Sequence, residues 1–182
     1  MKLKSKEKIL SSALSLFSER GFHATGIDTI LMDSKVAKTT LYRHFRSKEE
    51  LIVAVLRQRD ADFRNWLMLK VDKSNLAPVD KLFLVFDLHK QWAQEPDFNG
   101  CAFIKASSEY PDFDSRIHVV SAEHKKAMTQ YLIQLLTDAQ KENVALVATQ
   151  LMLLIDGATM TAQMHGNADV FDQAKEAARL LV

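Results

Sequence analysis

The sequence predicts an all-α fold of about nine helices: an N-terminal three-helix helix-turn-helix domain, then a larger C-terminal helical domain. Three observations carry this. Only five Gly and three Pro interrupt 182 residues, which is sparse punctuation for anything but long helices. Apolar residues recur at i, i+3, i+4 spacing nearly throughout, the period of helices with one buried face. Finally, TGIDTILMDSKVAKTTLYRHFRSK, from Thr25 to Lys48, reads as two short helices separated by a tight turn. Its second helix carries an outer face of hydrogen-bond donors, the plan of a helix that enters the major groove.

Each element follows from local signals. Ile9, Ala13, Leu16 and Phe17 form the inward stripe of a first helix, from about Ser5 to Arg20, which Gly21 terminates. Thr25, with Asp28 three residues on, predicts a capping box at the start of the second helix. The turn falls at Ser34, Lys35 and Val36, and a third helix runs from Ala37 to His44 with Leu41 and Phe45 inward. Phe22, Ile27, Ile30 and Val36 complete a three-helix core. Ser47 with Glu50 caps a long fourth helix to about Lys70, and Pro78 suits the first position of a fifth. Glu95 to Gly100 and Tyr110 to Asp114 bound a short sixth helix, and the seventh reaches about Gln140. Asn143 caps an eighth, and His165, Gly166 and Asn167 precede a ninth that reaches the C-terminus. The expected division is 1–47 for the helix-turn-helix domain and 48–182 for the rest.

Charge is distributed unevenly. Residues 1–48 hold ten Lys/Arg against four Asp/Glu, net +6, whereas 49–182 hold fourteen against nineteen, net −5. A basic head on an acidic body suits a chain that docks one end on nucleic acid. The single cysteine, Cys101, excludes an internal disulfide framework and fits a reducing cytoplasm. MKLKSKEKIL lacks the apolar run of a signal peptide. Val144 to Met164 is apolar but interrupted by Gln150, Asp156, Gly157 and Gln163, which predicts a helix buried in protein rather than lipid. The expected protein is soluble and cytoplasmic, associated with the nucleoid, and makes no membrane contact. There is no Gly-rich phosphate loop, no paired-cysteine metal spacing and no His-Glu-x-x-His helix. No enzyme, cofactor or metal site is therefore expected.

The block IDTILMDSKVAKTTLYRHFRSKEELIVAVL, Ile27 to Leu56, resembles the N-terminal signature of TetR-family transcriptional regulators, and LYRHFRSKEEL is its most specific part. The resemblance is strong from Ile9 to Leu56 and continues beyond as an all-helical pattern of the expected length. Two departures stand out. Lys35 occupies a turn position where similar proteins carry Gly, and Ala37 stands where Ser often caps the recognition helix.

The resemblance implies a homodimeric regulator of palindromic double-stranded DNA, a repressor released by a small, partly hydrophobic effector. Base-edge contacts fall on Lys38, Thr39, Thr40 and Arg43. Tyr42, His44, Lys48 and Thr25 fall on phosphates, with Tyr42 alternatively part of the core. The chemistry agrees, since Arg and Lys donate to guanine and Thr methyls touch thymine methyls. Lys2, Lys4, Lys6 and Lys8 form a basic arm, which can touch the DNA backbone or simply stay solvated.

In similar proteins the body encloses an effector pocket. The candidates here are Phe63, Trp66, Phe86, His89, Trp92, Cys101, Phe103, Tyr131, Asp156, Thr159, Met160 and Gln163. An aromatic stripe can equally be core, and Asp156 can equally pair with His or Arg or lie at the subunit interface. The dimer surface implied for the last two helices comprises Leu151, Leu154, Gly157, Ala158, Thr161, Ala162, Leu180 and Leu181, although the small residues can also serve the monomer's own packing. An alternative is the same fold with a non-transcriptional role, in nucleoid or cell-division control through a protein partner.

Overall fold

The computed structural model describes residues 4–182, and Lys2 of the basic arm lies outside them. Among the described residues the chain forms nine α-helices and no strand: α1 (Ser5–Arg20), α2 (Ile27–Ser34), α3 (Lys38–His44), α4 (Lys48–Asp72), α5 (Pro78–Ala93), α6 (Ala102–Glu109), α7 (Arg116–Asp138), α8 (Val144–His165) and α9 (Val170–Arg179). The expected order holds. The ends differ by one to a few residues, and α9 stops at Arg179 rather than running to the C-terminus.

The chain packs as two compact units. One runs to Asp62 and includes Ala102–His124; the other comprises Phe63–Cys101 and Lys125–Val182. Each of α4 and α7 therefore contributes to both.

In the first unit, Ile9, Ala13, Phe17, Phe22, Ile30 and Leu41 are essentially inaccessible. Phe17 and Phe22 stack with ring centroids 5.0 Å apart, across the Gly21 turn that ends α1. At φ 89° that turn favours glycine. The α2–α3 turn shows why similar proteins use Gly there: Lys35 adopts φ 54°, ψ 36°, the left-handed region. A lysine in that conformation is strained by about 1 kcal/mol. Lys35→Gly should therefore raise stability, partly offset by the greater freedom of Gly in the unfolded chain, for a net gain of about 0.5 kcal/mol. A urea unfolding midpoint that falls in the variant would contradict this.

In the second unit, one apolar cluster joins α4, α5, α7, α8 and α9, from Phe63 and Leu67 through Phe86, Leu132 and Leu151 to Phe171 and Ala178. Ala158 and Ala162 of α8 are buried in it with Ala174 and Ala178 of α9, so small side chains let α8 and α9 approach closely. Ion pairs from Lys90 to Asp169 and Asp172, and from Lys175 to Asp87, tie α5 to α9. Among the described residues α8 is long and apolar enough to cross a membrane. A core helix meets the same criterion, and the Asp156 carboxylate at its middle is ion-paired to Lys125 at 2.5 Å.

Candidate functional site

In the first unit α3 turns Leu41 inward, with Phe45 just beyond its end, and presents Lys38, Thr39, Tyr42, Arg43 and His44 to solvent, with Thr40 half-buried. Tyr42 is 43% exposed, so its hydroxyl end is available rather than core. Among the described residues neither the Arg43 guanidinium nor the Thr39 hydroxyl has a hydrogen-bond or ion-pair partner. Unsatisfied donors on one exposed helix face are what a nucleic acid can use.

Thr25 departs from expectation. It is 1% exposed, and its hydroxyl donates to the carbonyls of Gly21 (2.7 Å) and Leu16 (3.2 Å). It caps the end of α1 instead of the start of α2, and its side chain is buried. The orphan carbonyls of a helix end compete for such a hydroxyl, and here they lie closest. Gly26 is the N-cap of α2, without a side-chain cap. Asp28 likewise forms no capping box; its carboxylate lies 3.4 Å from the Lys38 ammonium.

The start of α4 behaves as expected. Ser47 Oγ accepts from the Glu50 N–H at 3.1 Å, while the Glu50 carboxylate accepts from the Arg46 N–H at 2.8 Å. Lys48 is half-buried, and its ammonium donates to the His23 carbonyl at 3.1 Å. Burial pushes its pKa down, an effect the Glu109 carboxylate opposes in part. One of its three donors is thus engaged in holding the α1–α2 turn, and two remain.

That turn is also held from α6, by residues the sequence reading missed. The Glu109 carboxylate accepts from the backbone N–H groups of Phe22 (2.9 Å) and His23 (2.6 Å). The His23 ring stacks on Tyr110 at 4.5 Å, and Lys105 donates to the Ser18 carbonyl at 2.5 Å. Phe103 also belongs here: it is buried and stacks on His124 at 3.7 Å, while His124 Nδ1 lies 2.7 Å from Asp60. It is therefore grouped with the head and not with the other effector candidates.

The second unit does gather aromatic candidates. Phe63 meets Trp66, His89 and Trp92 at ring-centroid distances of 5.6, 5.4 and 5.1 Å. Two residues outside the expected set complete the cluster: Phe98 against Trp92 at 4.9 Å and Phe171 against His89 at 6.1 Å. The His89 Nδ1 atom is 2.7 Å from the Val85 carbonyl. Phe86 is buried in the same core, and the buried Thr159 hydroxyl donates to Ile155 within its own helix. Tyr131 donates to Asp72 at 3.2 Å, and burial beside that carboxylate pushes its phenol up.

Asp156 pairs with Lys125, not with His or Arg. Burial lowers the Lys125 pKa, but neighbouring Cys101 and Asp156 outweigh that and raise it. Gln163 is exposed and lies against Gly100, where an added Cβ would come within 2.1 Å of its Oε1. Met160 is exposed, at 38%, and is not part of the buried apolar cluster.

Of the residues expected at a dimer surface, Leu151, Ala158 and Ala162 turn into the monomer core at 0, 4 and 2% exposure. Leu154 and Thr161 are half-buried, and Gly157, Leu180 and Leu181 are exposed. The open face of α8 is carried instead by Leu146, Leu153, Met160 and Met164, exposed at 60, 68, 38 and 74%. Between them Gly157 has nothing within 4 Å of where a Cβ would stand. The cause of the difference is that α8 is apolar on two faces, and its alanines, Ala158 and Ala162, serve the inner one.

Comparison with known proteins agrees with this architecture. Residues 9–55 match the family described as bacterial regulatory proteins, tetR family, and residues 78–178 match the tetracyclin repressor-like C-terminal domain. The HTH-type transcriptional regulator YjdC of Escherichia coli is 26% identical over 153 residues, covering 84% of this chain and 80% of that protein. The biofilm operon icaADBC negative regulator IcaR of Staphylococcus aureus is 26% identical over 118 residues, 62% of this chain and 59% of that one. The crystal structure of SCO4454, a TetR-family regulator from Streptomyces coelicolor, superposes with a TM-score of 0.91 at 27% identity, covering 97% of this chain and 93% of that one. With a helix-turn-helix whose donors face outward, a helical body behind it in the chain, and both family signatures in order, the chain belongs to the TetR family of transcriptional regulators and is not an enzyme.

Proposed function

We propose that this regulator is a repressor that binds palindromic operator DNA as a homodimer and is released by a small, partly hydrophobic effector. Residues 1–47 read DNA, and 48–182 carry the effector and dimer functions. The observation that carries the reading is the outer face of α3, where Arg43 and Thr39 stand without partners among the described residues, opposite buried Leu41. Arg43, Lys38, Thr39 and Thr40 reach base edges; Tyr42, His44 and Lys48 hold phosphates. The negative regulation named for IcaR supports repression.

One recognition helix spans only a few base pairs, so selectivity comes from two half-sites a helical turn apart, roughly 34–36 Å. The second copy covers the open face of α8 with Leu180 and Leu181. The effector binds beside the half-buried Trp66 and Trp92 of the aromatic cluster and changes the spacing of the two heads. It acts only through its differential affinity for the two states, and tenfold release corresponds to about 1.4 kcal/mol.

Sequencing genomic fragments retained by the purified protein should return a short palindrome with half-sites one turn apart. Arg43→Ala should cost about 1–3 kcal/mol and relax one position per half-site. Lys48→Ala should weaken all sequences alike and lower the salt slope by about one. Diffuse enrichment, or uniform losses from both variants, would count against the assignment.

A further inference from the structure

Asp28 is an acidic group on a face that the reading above places against DNA. Its carboxylate is well exposed and lies 3.4 Å from the ammonium of Lys38, the first residue of α3. In a docked helix-turn-helix the N-terminal residues of the second helix meet base edges, while the first helix crosses the backbone. A carboxylate bridged to Lys38 is thus carried toward the groove floor. Left among phosphates it would only repel. At the groove floor it can accept, and the base-edge donors there are cytosine N4 and adenine N6.

We propose that Asp28 and Lys38 act together as a specificity pair that reads one G·C base pair in each half-site. This rests on the DNA-reading assignment of α3. Guanine presents two adjacent acceptors, N7 and O6, and its cytosine partner presents the N4 donor next to O6. O6 and N4 are joined by the base-pair hydrogen bond and so lie roughly 2.9 Å apart. The Lys38 donor and Asp28 acceptor, 3.4 Å apart, match that spacing and polarity. Lys38 donates to O6 and N7, while Asp28 accepts the N4 hydrogen that base pairing leaves free. An A·T pair offers the couple only as thymine O4 beside adenine N6. Lys38 then meets a methyl where N7 had been, and Asp28 lies beside the acceptor N7 of adenine. The pair therefore discriminates against A·T, and Asp28 also weakens binding to DNA lacking the site.

The test is selection from random duplexes by the full-length protein and its Asp28→Ala, Asp28→Asn and Lys38→Ala variants, read by sequencing. The wild type should require a G·C pair at one position per half-site. Asp28→Ala and Lys38→Ala should each lose roughly tenfold of the preference at that same position. Asp28→Ala should also bind unrelated DNA more tightly. Asp28→Asn should shift the preference toward adenine, which Asn pairs through N6 and N7. An Asp28→Ala protein with unchanged base preferences and uniformly tighter binding would overturn the proposal, as would relaxation at a position that Lys38→Ala leaves intact. A wild-type protein that enriches no palindrome would defeat the DNA-reading assignment itself, and this inference with it.

Discussion

Leu153→Glu combined with Met160→Glu is expected to convert the proposed homodimer to a monomer and to lower operator affinity at least a hundredfold. Both side chains stand on the open face of α8, with Gly157 between them leaving room for a close approach. Leu146, Leu153, Met160 and Met164 fall on one stripe of the helix spanning roughly 27 Å at 1.5 Å per residue. An exposed apolar stripe of that length is unusual on a monomer and marks a surface that another protein covers. A second copy would use the same patch on both sides of a twofold, so each substitution places charge in the interface twice. The affinity loss follows from valency: joining two half-site binders typically gains 10²–10⁴ over one alone. Sedimentation velocity should show a single monomeric species, with the helical signal by circular dichroism largely retained. A variant that stays dimeric would move the interface to another face.

The stripe also shows what could be read from the chain and what could not. The start and stop of α1, the turn at Lys35 and the Pro78 start of α5 each depend on one or two residues acting locally, and each lies where expected. The left-handed Lys35 was legible because a residue type known to suit such turns was missing from it. Thr25 was not legible. A capping box and a bond back to the preceding helix use the same hydroxyl, and only the chain's path decides between them. In α8 the period was right and the phase ambiguous, because Leu151, Ala158 and Ala162 line one face while Leu153, Met160 and Met164 line another. Apolar spacing does not distinguish a face covered by the same chain from one covered by a partner. The Glu109 contacts to Phe22 and His23 join residues 87 and 86 positions apart. No local pattern encodes such a pairing, and it was absent from the sequence reading for that reason.

Phe63→Ala should destabilise the second unit by about 3–5 kcal/mol, the usual cost of removing a packed ring. Phe63 is 7% exposed and gives up ring contacts to Trp66, His89 and Trp92. Aromatic pairs contribute roughly 0.5–1.5 kcal/mol beyond the area they bury. For a chain of this size the melting temperature should fall by roughly 10 °C. Trp92→Ala, at a half-buried ring on the rim of the same cluster, should cost less stability and reduce the response to the proposed effector more. The contrast between the two variants separates a wall from a core. A ring fully packed on all sides loses its contacts when truncated, whereas a ring bordering a void had fewer to lose. A loss below about 1 kcal/mol for Phe63→Ala would place Phe63 itself on the wall of an open cavity. The effector site would then lie deeper than the Trp66–Trp92 rim, between Phe63 and His89, and an apolar ligand would have to occupy space that the cluster does not fill.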